Sequence, residues 1–172
     1  MKNILRLLTV EDAADFKRFR LKGLQSFPTS FCDTAEAFTQ KSDVEVASWI
    51  ESDTKDGGFL LGAYSEFRTM IGTVGICRDS VPNLRHRANL WGMLVDPSCQ
   101  GCGVAKALLQ EAIRICREGG TIEQIHLSVT TTCEPAIGLY EKVGFKKAGT
   151  ERKKIKIQDC YHDMYLMILD LI

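Results

Sequence analysis

The spacing of apolar positions along this chain changes several times, and each change marks an element. Ile4 to Leu8 is a short apolar run that reads as a strand. Thr9 then precedes a 3.6-residue pattern of Ala13, Phe16, Phe19 and Arg20, with Asp12 as a weakened capping-box partner and Gly23 as the expected stop. Gln25 to Asp33 contains Phe27 and Phe31 but no clean period. Ser42 with Glu45 makes a better capping box and opens a helix through Val46, Trp49 and Ile50.

The period then drops to that of a strand. Phe59 to Tyr64 and Met70 to Arg78 are β-rich runs joined by a hairpin at Ser65 to Thr69, and Ala88 to Val95 is a third run stopped by Asp96-Pro97. From Val104 to Glu118 the helical period returns, with Val104, Leu108, Ala112 and Ile115 on one stripe, ended by Gly119-Gly120. Gln124 to Thr130 is a strand. Pro135 starts a helix through Ala136, Leu139, Tyr140 and Val143, with Gly144 where a C-terminal glycine cap belongs. Lys146 to Lys156 and Cys160 to Leu169 are closing strands around Gln158-Asp159. The order β-α-α-β-β-β-α-β-α-β-β gives a mixed sheet under helices, α/β or α+β.

Composition narrows the class. The 172 residues are 45% apolar and 26% charged, the balance of one soluble domain over 1–172 that buries a core without metal or disulfide. Lys plus Arg equals Asp plus Glu at 22 each, which argues against a general nucleic-acid or membrane-surface binder. No apolar run approaches the ~20 residues of a membrane span. Arg6 interrupts the start where a signal peptide would be apolar, so a cytoplasmic protein is expected. The seven cysteines are odd in number and irregularly spaced. Cys99-x-x-Cys102 has no second pair, so no metal is expected and the thiols read as reduced, small apolar side chains.

Chemistry concentrates in Gln100-Gly101-Cys102-Gly103-Val104-Ala105, between an apolar strand and an amphipathic helix. A small-residue loop at a helix N-terminus leaves backbone N–H groups unpaired beside the positive end of the dipole, a place for an anion such as a pyrophosphate. Lys106 adds charge there. A tight turn that merely needs glycine is the alternative. No G-x-x-x-x-G-K-[ST] is present, and Lys106 stands where a dinucleotide fingerprint would continue with glycine or alanine.

The loop resembles the acetyl-CoA pyrophosphate motif of the GNAT superfamily of N-acetyltransferases, [Gln/Arg]-x-x-Gly-x-[Gly/Ala]. Leu90 to Pro97 resembles the family's fourth strand, and Ala136 to Phe145 its later A-x-x-L-Y-x-K-x-G-F signature. Arg20-Leu21 followed by Ser26 to Phe31 is similar to bacterial members of unassigned substrate. The resemblance implies a GNAT-like fold in which the fourth and fifth strands splay and the coenzyme arm enters between them. Met93, Leu94 and Val95 would pair with that arm, the amide near Leu94 polarising the thioester carbonyl. Gln100, Gly101, Cys102, Gly103, Val104, Ala105 and Lys106 would hold the pyrophosphate, with Cys133 and Ala136 beside the arm. Tyr140 would be the general acid for the departing thiolate. Phe145 would pack on its ring, as a glycine-capped helix end favours.

Two positions depart from the family pattern. Asn89 replaces a frequent glutamate; an amide cannot take a proton, although it can orient a water. Cys133 replaces a frequent asparagine. Other base candidates are His126, His86, His162, Glu36 or a water chain. The leading expectation is acetyl transfer from acetyl-CoA to a small-molecule or peptide amine by direct attack in a ternary complex. The alternative is a weak or inactive acetyl-CoA-binding sensor or scaffold domain; a Cys99/Cys102 switch is a third. The acceptor groove is expected over about 24–40 and 155–165, where Asp33, Glu36, Asp159 and Asp163 would favour a cationic amine. Tyr165 to Leu169 is apolar enough for a homodimer interface or for core.

Overall fold

The computed structural model describes residues 4–55 and 57–172. Seven strands form one mixed sheet in the order β1-β2-β3-β4-β5-β7-β6: β1 (Ile4–Leu7), β2 (Phe59–Tyr64), β3 (Met70–Arg78), β4 (Arg87–Val95), β5 (Gln124–Thr130), β6 (Lys146–Ile157) and β7 (Cys160–Asp170). The helices are α1 (Ala13–Ser26), α2 (Ala35–Thr39), α3 (Asp43–Lys55), α4 (Val104–Gly119) and α5 (Glu134–Lys142). All six residues of β2 are buried because helices cover both faces of the sheet. One core joins α4 and α5 to the sheet through Leu108, Leu109, Ala112, Ile137 and Met167. The other joins α1, α2 and α3 through Phe16, Leu24, Phe38, Val46 and Ile50.

The expected boundaries hold to within a few residues, with three differences. α1 begins after a 3-10 turn at Val10–Asp12, where Asp12 Oδ2 accepts the Thr9 N–H at 2.9 Å. α2 was not expected. It is one short turn of helix whose Thr34 hydroxyl accepts the Ala37 N–H at 3.1 Å. Gly23 does not stop α1, which runs on to Ser26, two residues before Pro28. Its missing side chain lets the helix lie against β4: a Cβ there would stand 2.1 Å from Leu94 Cδ2. The Ser42–Glu45 box forms as expected, the Ser42 N–H donating to Glu45 Oε2 at 2.6 Å.

β7 is an interior strand between β5 and β6, and Met164, Met167 and Leu169 are buried. Its apolar character therefore serves the core. Of the cysteines, Cys116 alone is fully buried, its thiol pushed up to about 11 by desolvation; Cys32, Cys102 and Cys160 are exposed, so the apolar reading covers only part of the set. No helix among the described residues is long and apolar enough to cross a membrane.

The α1–β4 contact has a sign that can be tested. Gly→Ala inside a helix ordinarily stabilises by about 1 kcal/mol. Here the methyl meets Leu94, so Gly23→Ala is expected to destabilise by about 1–3 kcal/mol in denaturant titration. In a Leu94→Ala background the same change should be neutral or favourable.

Candidate active site

Among the described residues β4 and β5 are the only parallel neighbours in the sheet, and their ladder is short. It runs through Arg87↔Gln124, Ala88↔Ile125 and Asn89↔His126, then ends although both strands continue. Beyond that point the facing backbone groups have no strand partner, and polar main chain is costly to leave buried without one. The opening widens into a cavity of about 730 Å³.

A bulge sets which groups face it. Gly92 takes φ +62°, and the β3–β4 register shifts so that Thr73 opposes Leu94 while Gly75 opposes Trp91. The Thr73 hydroxyl donates to the Gly92 carbonyl at 3.0 Å and pins the bulge. Past it, the Asp96 N–H donates to the Ile71 carbonyl at 2.9 Å. Alternation along an antiparallel ladder then directs Leu94 toward β3 as well, and its carbonyl oxygen would lie 3.2 Å from a Cβ on Gly72. Met93 and Val95 therefore turn their backbone groups into the opening. For Leu94 the alternation differs from the expectation: it points the amide to β3 and the side chain packs on the α1 face, although Leu94 lines the cavity along with Met93 and Val95.

At the end of β4, Asp96 caps a 3-10 turn at Pro97–Cys99, accepting the Ser98 N–H at 3.0 Å and Lys22 Nζ at 2.6 Å. Lys22 and Ser98 hold its carboxyl down to about 2. The chain then passes Gly101 (φ +76°) and Gly103 (φ +80°), both with open space where a Cβ would be. Gly103 is the N-cap of α4 and supplies no capping side chain, so the N–H groups of the first turn stay available. Gln100, Gly101, Gly103, Val104, Ala105 and Lys106 line the cavity. Cys102, expected with them, is exposed and outside the lining.

Tyr140 closes the other end. α5 terminates in a glycine cap: Phe145 N–H donates to the Tyr140 carbonyl at 3.0 Å and Gly144 N–H to that of Glu141 at 3.1 Å. This brings the Tyr140 and Phe145 rings to 5.7 Å between centroids, as expected from the pattern. Tyr140 is buried, lines the cavity, and has no hydrogen bond from its hydroxyl among the described residues. Burial, then the neighbouring Cys133 thiol, push its pKa well above that of a free phenol. Cys133 and Ala136 also line the cavity.

The base candidates fall elsewhere. His126 is buried at the last rung of the β4–β5 ladder, outside the cavity lining. Its Nδ1 lies 3.2 Å from Arg87 Nη2, which can only donate, so Nδ1 accepts and Nε2–H donates to Gln124 Oε1 at 3.1 Å. Gln124 in turn donates to Asp170 at 2.8 Å. Desolvation and then Arg87 depress the imidazole pKa. His126, one of the base candidates, is thus held neutral in a structural network with its lone pair taken. Asn89 is exposed at the same rung and also outside the lining, which contains no histidine or carboxylate among the described residues. His86, His162 and Glu36 do not reach it either. Nor do the described residues gather three or more metal-ligating groups.

The lining also includes Phe27, Ser30 and Phe31, inside the stretch 24–40 expected for the acceptor groove, and Trp91 and Gly92 of the bulge, for which no individual role was expected; residues 155–165 do not line it. The buried Thr130 hydroxyl donates to the Thr29 carbonyl at 2.7 Å and ties the segment after α1 to the end of β5. A glycine inside an apolar strand was the available signal for the bulge.

A family model described as acetyltransferase (GNAT) family matches residues 24–145. The chain belongs to the GNAT family. Among curated proteins it is 34% identical over 98 residues to the L-amino acid N-acetyltransferase AaaT of Escherichia coli, covering 57% of this chain and 60% of that protein. It is 32% identical over 103 residues to the N-alpha-acetyltransferase RimI of Mycobacterium tuberculosis, covering 59% and 60%. The matched stretch thus spans about three-fifths of each relative's length. An acetyltransferase of the GNAT family from Streptococcus pneumoniae superposes with a TM-score of 0.88 at 23% identity over 98% and 99% of the two chains. Salmonella typhimurium yncA, a putative acetyltransferase solved with its cofactor acetyl-CoA, superposes at 0.85 and 17% identity, over 100% and 95%. The mixed sheet with a splayed fourth and fifth strand is therefore the GNAT fold.

The His126 network makes stability depend on pH. In the unfolded chain His126 titrates near ~6.5, while in the fold it does so lower. Between those values the unfolded state binds more protons, so stability falls as pH drops through this window and levels off below the folded value. Thermal melts from pH 7.5 to 5 should show a shallower loss in His126→Gln than in the native protein.

Proposed function

We propose that this GNAT chain is an acetyl-CoA-dependent N-acetyltransferase that acetylates a primary amine by direct attack in a ternary complex. The observation that carries the reading is the meeting of three features in one cavity. These are unpaired β4 backbone groups at Met93 and Val95, a glycine-capped helix N-terminus at Gly103, and the Tyr140 hydroxyl.

The residues fit the coenzyme. The N–H groups of the Gly103–Lys106 turn suit a pyrophosphate, with Lys106 adding charge. Lys106 and Lys142 border both the cavity and an adjoining groove between α4 and α5, which adds Arg117 to the cations available for further phosphate. Met93 and Val95 present main-chain groups to an amide-bearing arm entering as an extra strand. When bound, acetyl-CoA supplies an activated acetyl thioester. The Met93 amide is then the donor placed for the developing oxyanion.

Burial keeps the Tyr140 phenol protonated and so preserves it as a donor to the departing sulfur. The same burial makes it a weaker acid than free tyrosine. Its contribution is chiefly a hydrogen bond, and the proton count closes when the attacking nitrogen, made cationic by bond formation to the carbonyl carbon, gives up its proton through solvent to the departing thiolate. With no imidazole or carboxylate in the described lining, that amine arrives neutral or loses its proton to water. This lining is also what favours the second reading, a coenzyme-binding sensor without turnover.

Thermal unfolding with acetyl-CoA tests the site, with desulfo-CoA and ATP as controls. At a hundredfold above Kd the ligand adds about 2.7 kcal/mol, and each kcal/mol is worth about 2–4 °C at this size. A shift of that combined size, lost in Gly103→Glu, is the expected result; no shift at millimolar acetyl-CoA contradicts the reading. Steady-state release of free thiol over an amine panel then separates enzyme from sensor. Tyr140→Phe should lower kcat by about 10²-fold or more with KM for acetyl-CoA unchanged, because the ring still packs on Phe145.

A further inference from the structure

Arg20 lies on α1, and its side chain is only 7% exposed. It sits within four aromatic rings, its guanidinium carbon 5.2 Å from the Phe31 centroid, 5.7 Å from those of Phe38 and Trp91, and 5.9 Å from that of Trp49. Among the described residues its single hydrogen bond runs from Nη2 to Asp33 Oδ2 at 2.9 Å, and Asp33 is half exposed. Nε is buried without a partner, and so is the indole Nε1–H of Trp91 in the same cluster. A cation removed from water normally has its donors satisfied. Most of this guanidinium is instead held ready, with ring faces to compensate its charge.

Arg20 is not itself a lining residue of the cavity; its free Nη1 lies directly behind residues that are. Phe31, Trp91 and Gly92 line the cavity, and a Cβ on Gly92 would stand 3.5 Å from Arg20 Nη1. Gly92 has no side chain, so nothing projects from the bulge between Nη1 and that wall. The planar fork of arginine matches a carboxylate, which it binds through paired N–H bonds. Gly92 precedes Val95 by three residues of β4, a rise of about 10 Å at most. An amine presented along the opening and a carboxylate on Nη1 are thus within reach of one small molecule.

We infer that Arg20 anchors the carboxylate of the acceptor, which makes the acceptor a small molecule carrying both an amine and a carboxylate, of the amino-acid class. This rests on the N-acetyltransferase reading and names its substrate class. Asp33 is then an internal carboxylate that occupies one edge of the guanidinium and competes with the acceptor. Its charge is spent on Arg20, so it does not serve as the free anion expected to draw a cationic amine.

The test begins with binding. The protein saturated with coenzyme A is titrated calorimetrically with the standard L-amino acids and with their carboxamides, and turnover with acetyl-CoA is measured on the same panel. At least one amino acid should bind ten-fold or more tightly than its carboxamide, and the same preference should appear in kcat/KM. Arg20→Gln should abolish the preference by raising KM for the acid, with KM for acetyl-CoA unchanged. Asp33→Asn should strengthen binding of the acid, whereas a purely structural ion pair predicts weaker binding of acid and amide alike. Equal binding of acids and carboxamides by the native protein overturns the proposal, and so does absence of binding by either. Turnover without acid preference would leave the acetyltransferase reading intact while removing the role of Arg20. Selective binding of an acid without turnover would do the reverse.

Discussion

Backbone hydrogen bonds along β4 are the constraint from which the site follows. One edge of that strand pairs with β3 from Ala88 to Val95, interrupted only by the bulge at Gly92 and Met93, while the other pairs with β5 only as far as Asn89↔His126. From Leu90 onward the inner edge carries donors and acceptors in a partly enclosed space, and such groups require a partner. The bulge at Gly92 decides which residues supply them, and its pinning by Thr73 keeps that choice fixed. The same economy appears at Gly103, where a cap without a side chain leaves the first turn of α4 open. Under the proposed function, recognition at both places would be main-chain recognition. A side-chain departure such as Cys133 therefore leaves the frame of the site in place.

The side chains around this frame divide by face. On the α4–α5 face, Tyr140 is held by the helix-ending cap and by Phe145, so its hydroxyl is positioned by packing. On the α1–α3 face, Trp49 and Trp91 stack at 4.8 Å between centroids and enclose Arg20, while the Thr130–Thr29 bond brings Phe27 to Phe31 over the opening. The cavity accordingly has different chemistry on its two sides: backbone groups and lysines on one, aromatic rings with the Arg20 guanidinium behind them on the other. His126 and Asn89, at the last rung before the strands part, belong to the hinge of the opening, where a neutral imidazole bridging Arg87 and Gln124 holds β5 in register.

Most of the element order was legible because α4, β2 and β3 carry strong periodic signals and because glycine and proline mark their ends. The loop 100–105 was legible as a turn into a helix, but a plain tight turn suited the same residues, and its reading as an anion site leaned on the resemblance to the acetyl-CoA motif. Three things were not. Gly23 reads as a helix stop, and only the approach of Leu94 shows why glycine stands mid-helix. The direction of the Leu94 amide depends on a one-residue bulge, which apolar residues on both faces of β4 conceal because either parity buries them equally well. Arg20 looked like one more position on a helical stripe, since neither the cage nor the partner at Asp33 is local in sequence.

Amide hydrogen exchange, read residue by residue with and without acetyl-CoA, tests most directly whether the broken β4–β5 ladder is the coenzyme site. In the free protein the Leu94 amide should already be protected by β3, while those of Met93 and Val95 exchange readily. On adding acetyl-CoA, protection should appear at Met93, Val95 and Gly103 to Lys106, with Leu94 unchanged. Protection confined to other segments, or a free-state Leu94 amide exchanging as fast as that of Met93, would contradict the assignment of the wedge.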